Sequence, residues 1–154
     1  MSAWEIISSV AAAFAAVFAG IQILLSRKES RLRTTFEHIR EVTKHLEPVL
    51  FYDASELQQD VLAFYNRKND HLSEKAQKYL SFLNAADLLA LAVEKKTVDR
   101  KIVAEYLRTL FNEDLISGCF LAQFRKSCRD DEVYRHLYNL LRSIGAAPKS
   151  PDYA

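Results

Sequence analysis

Only six residues of this 154-residue chain are Gly or Pro: Gly20, Pro48, Gly118, Gly145, Pro148 and Pro151. That is about a third of the ordinary share. Strand connections and tight turns depend on these residues, so the scarcity excludes a β-rich fold and predicts an all-α chain. No Gly or Pro lies between Gly20 and Pro48, so a helix begun before Gly20 is free to continue to Pro48. The length fits about one domain. Two cysteines cannot form a disulfide framework and fit a reducing compartment.

Charge is distributed unevenly. Before Arg27 the only charged side chain is Glu5, and Ile6 to Leu25 is an uncharged run of 20 residues. At 1.5 Å per residue the run reaches about 30 Å, the thickness of a bilayer hydrocarbon core. Trp4 stands at one end as an aromatic anchor; Arg27, Lys28, Arg31 and Arg33 follow the other. A cleaved signal peptide carries its positive charge ahead of the apolar stretch, the reverse of this order. The expectation is a retained transmembrane helix over residues 1–26, with the N-terminus outside a bacterial inner membrane and the remainder cytoplasmic. The alternative is a buried, Ala-rich core helix.

The faces of this segment differ. Ser8, Ala12, Ala15, Ala19 and Gln22 share one helical stripe, and Ser9, Ala13, Ala16 and Gly20 a neighbouring one. Bulky residues such as Ile7, Val10, Phe14, Val17, Phe18, Ile21 and Leu24 lie opposite. In lipid, small faces permit close helix approach, and polar side chains bond across helices. Ser8, Ser9, Ala12, Ala15, Ala16, Ala19, Gly20 and Gln22 are therefore expected to form an oligomer or pore face, in a homo-oligomer for which a tetramer is one size. A packed cluster and a gated pore both fit this pattern.

Residues 27–47 read as a juxtamembrane amphipathic helix with Leu32, Phe36, Ile39, Val42 and Leu46 as its apolar face. They hold six Lys/Arg against four Glu, a basic collar suited to anionic headgroups of membrane lipid. Residues 48–147 read as a cytoplasmic bundle of four to five helices, and 148–154 as a loose tail. Asp53 with Glu56 and Ser73 mark helix starts. The stretch Phe82–Val93 is apolar almost all round, which predicts the central helix. Thr97 or Asp99 is expected to cap the next helix, and Asp130 or Asp131 the last. Residues 48–154 carry equal numbers of acidic and basic residues.

Motifs for catalysis are missing. The three glycines are too far apart to form a phosphate loop, and Cys119 and Cys128 have no His between them. Both cysteines read as core thiols. His38, Glu41 and His45 share a helix face, but no Glu-x-x-His partner completes a two-metal site, and charged neighbours fit a solvated face. No metal, cofactor or enzymatic activity is expected. Asn84 and Asp87 interrupt the most apolar helix, where satisfying donors from neighbouring helices is the ordinary role. The last helices carry the most suggestive set. Arg125, Lys126, Arg129, Arg135 and Arg142 offer charge for phosphates, and Tyr134 and Tyr138 offer rings for stacking single-stranded bases. Asp130, Asp131 and Glu132 dilute the field, and a plain solvated surface explains the same residues.

With the span, the basic junction and the segment YLSFLNAADLLALAVEKKTVDRKIVAEYL in view, the chain resembles a family of small bacterial single-pass membrane proteins of uncharacterised function. Asn84, Asp87 and Asp99 match its Asn and acid in an apolar helix and the charged turn after it. The resemblance implies no catalytic residue. In architecture the chain is also similar to the membrane effector of the Hailong anti-phage system. There a nucleotidyltransferase makes single-stranded DNA that holds a small oligomeric effector inactive until infection. That resemblance implies an oligomeric effector with single-stranded DNA, or the nucleotidyltransferase, as partner. The competing expectation is a membrane-tethered helical adaptor that recruits a protein.

Overall fold

A computed structural model describes residues 3–66, 70–112, 118–130 and 132–146; side chains are described from residue 15 onward, apart from 111–112 and 118–119 in the helices. The described residues are all-helical, with no strand among them. The helices are α1 (Ala3–Leu46), α2 (Ala54–Tyr65), α3 (Glu74–Glu94), α4 (Arg100–Asn112), α5 (Gly118–Cys128) and α6 (Arg135–Ser143).

α1 runs 44 residues without interruption, about 66 Å. It ends at the turn holding Pro48, whose ring cannot continue the hydrogen-bond ladder. α2 starts where Asp53 Oδ1 accepts from the backbone N–H groups of Ser55 (2.8 Å) and Glu56 (3.1 Å). α3 starts where Ser73 Oγ accepts from Ala76 N at 3.1 Å. Both caps satisfy donors that a first helical turn leaves open.

α3 is the centre of the bundle and touches α1, α2, α4 and α6. Its buried residues, Ala76, Tyr79, Phe82, Leu83, Ala85, Ala86, Leu89, Ala90 and Ala92, surround most of its circumference. Large residues fill the space at one end and alanines admit close neighbours at the other. Each fully buried Leu or Phe contributes about 1.5–3 kcal/mol. A chain of rings, Tyr79–Phe120–Phe124–Tyr134, with neighbouring centroids 5.7 Å apart, ties α3 to α5 and to the residue that opens α6.

Two expectations about apolar faces are corrected. Phe36, assigned to the inward face of α1, is 58% exposed, and Thr35 is completely buried instead. On α3, Leu88 is 59% exposed. The start of α6 is corrected as well. Asp130 Oδ1 accepts from Glu132 N at 2.8 Å and so organises the turn before α6 rather than the helix itself; Asp131, the other expected cap, lies outside the described residues.

Candidate functional site

The acids singled out from the sequence hold helix ends. Asp87, half-buried on α3, accepts at Oδ1 from the backbone N–H of Leu137, 2.7 Å away on α6. Tyr134, the residue before α6, is in the left-handed region (φ 51°) and makes no side-chain cap. Asp87 therefore supplies from another helix the acceptor that an N-cap normally supplies from its own. Burial pushes its carboxyl above the usual range, and the bonds from Leu137 and His136 only partly offset this. Asn84 does not share the site: it is exposed, and lines a groove between α1 and α3 with His38, Glu41, His45 and Leu88.

Asp99 caps α4 through Oδ1, which accepts from Lys101 N (2.9 Å) and Ile102 N (3.3 Å). Its own backbone N–H donates to Thr35 Oγ1 on α1 at 2.8 Å, and that hydroxyl donates to the Arg31 carbonyl at 2.7 Å. This explains why Thr35 faces inward. Thr97, the other expected cap, instead closes α3: its hydroxyl and its N–H both donate to the Ala92 carbonyl at 3.1 Å.

Around this junction lies a cleft of about 660 Å³ bordered by α1, the α3–α4 turn, α4 and α6. Its cations are Arg31, Lys96, Arg100 and Lys101. Glu94 at the rim is bonded to His136 Nδ1 at 2.6 Å, and this contact holds the Glu94 carboxyl below its usual range. Arg100 Nη2 donates to Ser143 Oγ at 3.2 Å, which joins α4 to α6. Sequence reading missed this cleft. The signal available was the run Lys95, Lys96, Arg100, Lys101, a second basic cluster besides the collar.

The basic–aromatic set of the last helices is only partly a surface. Tyr134 and Tyr138 are each 8% exposed. Tyr134 stacks on Phe124, and the Tyr138 ring lies under the Arg125 guanidinium at 4.7 Å. Neither ring is open to a stacking base, which corrects the role expected of them. Lys126, Arg129, Arg135 and Arg142 are exposed, with Arg135 paired to Glu132.

Of the expected oligomer face, Ser8, Ser9 and Ala12 lie outside the described side chains. Ala15, Ala16, Ala19, Gly20 and Gln22 are all exposed, as are Val17, Phe18, Ile21, Ile23, Leu24 and Leu25 around them. A Cβ at Gly20 would meet nothing within 4 Å. Among the described residues no helix is long and apolar enough to cross a membrane. Side chains 1–14 of the expected span are outside that description.

His38, Glu41 and His45 do not converge on a metal: no cluster of three His, Cys, Asp or Glu suited to one occurs among the described residues. Glu41 is shared between Lys44 (2.9 Å) and His45 (3.4 Å), and Lys44 lowers its pKa. Cys128 is half-buried, and burial pushes its thiol up. The Cys119 side chain lies outside the described residues.

Residues 7–144 match a family model described as Domain of unknown function (DUF4760), and the chain belongs to that family. It is a family of uncharacterised function, as the sequence resemblance implied at that level. No curated protein and no solved structure matches the chain.

Proposed function

Starting from membership of a family whose function is unassigned, we propose that this chain is an oligomeric membrane effector. Its N-terminal half of α1 spans the inner membrane of a bacterium, and its cytoplasmic helical domain controls how the spans pack. The carrying observation is the division of α1. Thr35, Val42 and Leu46 are buried against the bundle, whereas the apolar stretch from Ala15 to Leu25 is exposed throughout. Exposed apolar surface of that extent needs lipid or another helix to cover it. Because α1 is unbroken, a shift of the bundle tilts or rotates the apolar half with it.

The role in anti-phage defence rests on the resemblance to Hailong-type effectors. Single-stranded DNA is the ligand that resemblance implies, with the nucleotidyltransferase that makes it as a second partner. The exposed Lys126, Arg129, Arg135 and Arg142 would meet phosphates rather than bases. The reading assigns no catalysis to the chain.

Dye-loaded liposomes test the proposal. The wild-type chain is expected to release dye in at least one ligand state. Gly20→Leu is compatible with the fold, since nothing adjoins a Cβ there, and it raises helix propensity. It is expected to change leakage only because it separates packed spans. Liposomes that stay tight with the chain inserted, with and without single-stranded DNA, would remove the pore. Unchanged leakage in Gly20→Leu and Gln22→Leu would remove the small face from it.

A further inference from the structure

We propose that the cleft beside the α3–α4 turn is a binding site for the phosphate of an anionic phospholipid headgroup, which fastens the helical domain to the membrane surface. The proposal builds on the reading of α1 as a membrane span and adds a second attachment to it.

The Thr35–Asp99 bond fixes the height of the turn along α1. Arg31 lies six positions beyond Leu25, the end of the apolar run, hence about 9 Å past the hydrocarbon edge. Headgroup regions occupy about 5–8 Å on each side of a bilayer core, and long cationic side chains reach toward them. Arg31 thus reaches toward headgroups from α1 and shares the cleft with Lys96, Arg100 and Lys101, whose turn is held at Thr35, four positions further along α1 and about 15 Å past the same edge. The two acids there are engaged elsewhere. Asp99 is turned to the amides of α4, and Glu94 to His136. The cations are drawn from α1, the turn and α4, so the site exists only when the domain is docked on α1.

Lys96 is the most telling of the four. It occupies the left-handed position that closes α3 (φ 59°), with its N–H on the Val93 carbonyl and the Thr97 N–H reaching back to Ala92. Gly is the usual residue there, because any other side chain costs energy in that conformation. A cation placed where the backbone favours Gly adds charge at the cleft at the expense of local stability.

Lys96→Gly therefore separates binding from folding: it removes the charge and relaxes the backbone. The full chain is placed in nanodiscs of phosphatidylcholine alone, of phosphatidylcholine with phosphatidylglycerol, and of phosphatidylcholine with inorganic phosphate in the buffer. Amide hydrogen exchange is followed over residues 96–101. Exchange is expected to slow only in the phosphatidylglycerol discs. Each cation removed (Lys96→Gly, Lys101→Gln, Arg31→Gln) should reduce the protection about fivefold at low salt. Lys75→Gln, at the opposite end of α3, should leave it unchanged.

Equal exchange in all three preparations would overturn the proposal. So would protection by inorganic phosphate alone, which marks a site for a free phosphate compound, or protection that survives all three substitutions together. A chain that fails to enter the discs refutes the span reading instead. Sedimentation with phosphatidylglycerol vesicles then decides the cleft: binding weakened by Lys96→Gly supports it, and no binding ends it.

Discussion

The carboxylate of Asp87 caps a helix it does not belong to: its Oδ1 accepts the N–H of Leu137, 2.7 Å away at the third position of α6. Tyr134, at the local cap position, has no acceptor to offer that amide. Asp87→Ala is therefore expected to cost about 1–2 kcal/mol, the upper range for a lost cap. Asp87→Asn keeps an acceptor oxygen and should cost less. Urea unfolding of the two variants beside wild type measures this, and equal losses would show that charge rather than the cap is what matters.

Titration separates Asp87 from Glu94, because their shifts oppose. Burial raises the Asp87 carboxyl above its ordinary 3.8, so the folded state holds its proton more tightly than the unfolded chain does. Its contribution to stability is greatest below 3.8 and declines as pH rises through the folded value. The hydrogen bond from His136 lowers Glu94 below its ordinary 4.5. Its contribution is present above 4.5 and is lost as pH falls through the folded value. In stability–pH curves, wild type should gain on Asp87→Asn toward acid and lose ground to Glu94→Gln over the same range. The Glu94 effect should be the smaller and fade with salt, since Glu94 is exposed. Curves that run parallel for all three proteins would contradict both assignments.

Thr35 holds α1 to α4 through one hydroxyl. Thr35→Val keeps the shape but leaves the Asp99 N–H without its acceptor in a partly buried setting, a loss of about 1–3 kcal/mol. Thr35→Ser keeps the hydroxyl and should lose about 0.8 kcal/mol, the value of one buried methyl. Thermal unfolding that ranks Ser below Val would show that packing of the methyl, not the bond, secures this junction.

These relationships explain which parts of the structure could be read from the sequence. The helical class followed from six Gly and Pro residues, and the centrality of α3 from a stretch that is apolar on nearly every side. Hydrophobicity alone favours Phe36 for the inward face of α1, yet Phe36 is exposed and Thr35 is buried. Thr35 lies two turns before Val42 and nearly in line with it, and it faces inward because a distant amide needs its oxygen. Asp87 carried a legible signal, an acid inside an apolar helix, but its partner, Leu137 on α6, is 50 residues away. Tyr134 and Tyr138 looked like surface rings beside arginines. The stacking of Tyr134 on Phe124 and the seat of Arg125 over Tyr138 depend on how α5 and α6 meet, which periodicity within one helix does not encode.

Leu88 and Leu89 are neighbours with opposite fates: Leu88 is 59% exposed and Leu89 fully buried. Leu89→Ala should cost about 2–5 kcal/mol, the range for a cavity in a close-packed core. Leu88→Ala should fall within about 0.5 kcal/mol of wild type. Denaturant midpoints for the isolated chain in detergent distinguish them. A large loss at Leu88 under those conditions would mean that the groove between α1 and α3 is covered, by a second copy or by another segment.

The nucleic-acid reading makes its sharpest prediction through the residues that remain at the surface. Lys126 and Arg129 are exposed on and just beyond the C-terminal end of α5, whereas Tyr138 is buried beneath Arg125. Removing the Tyr138 ring should unfold the region, at a cost of about 3–5 kcal/mol, so a loss of DNA binding in Tyr138→Ala says nothing about contact. Lys126→Gln and Arg129→Gln test contact directly. If each side chain meets a phosphate, each substitution weakens binding of single-stranded DNA whatever its sequence. Each also lowers the slope of log affinity against log salt by about 0.7. Anisotropy titrations at several salt concentrations give both quantities. Affinity and slope that stay at wild-type values in the double variant would remove the α5 end from any DNA-binding surface, and the cleft beside the α3–α4 turn would then be the stronger anion site.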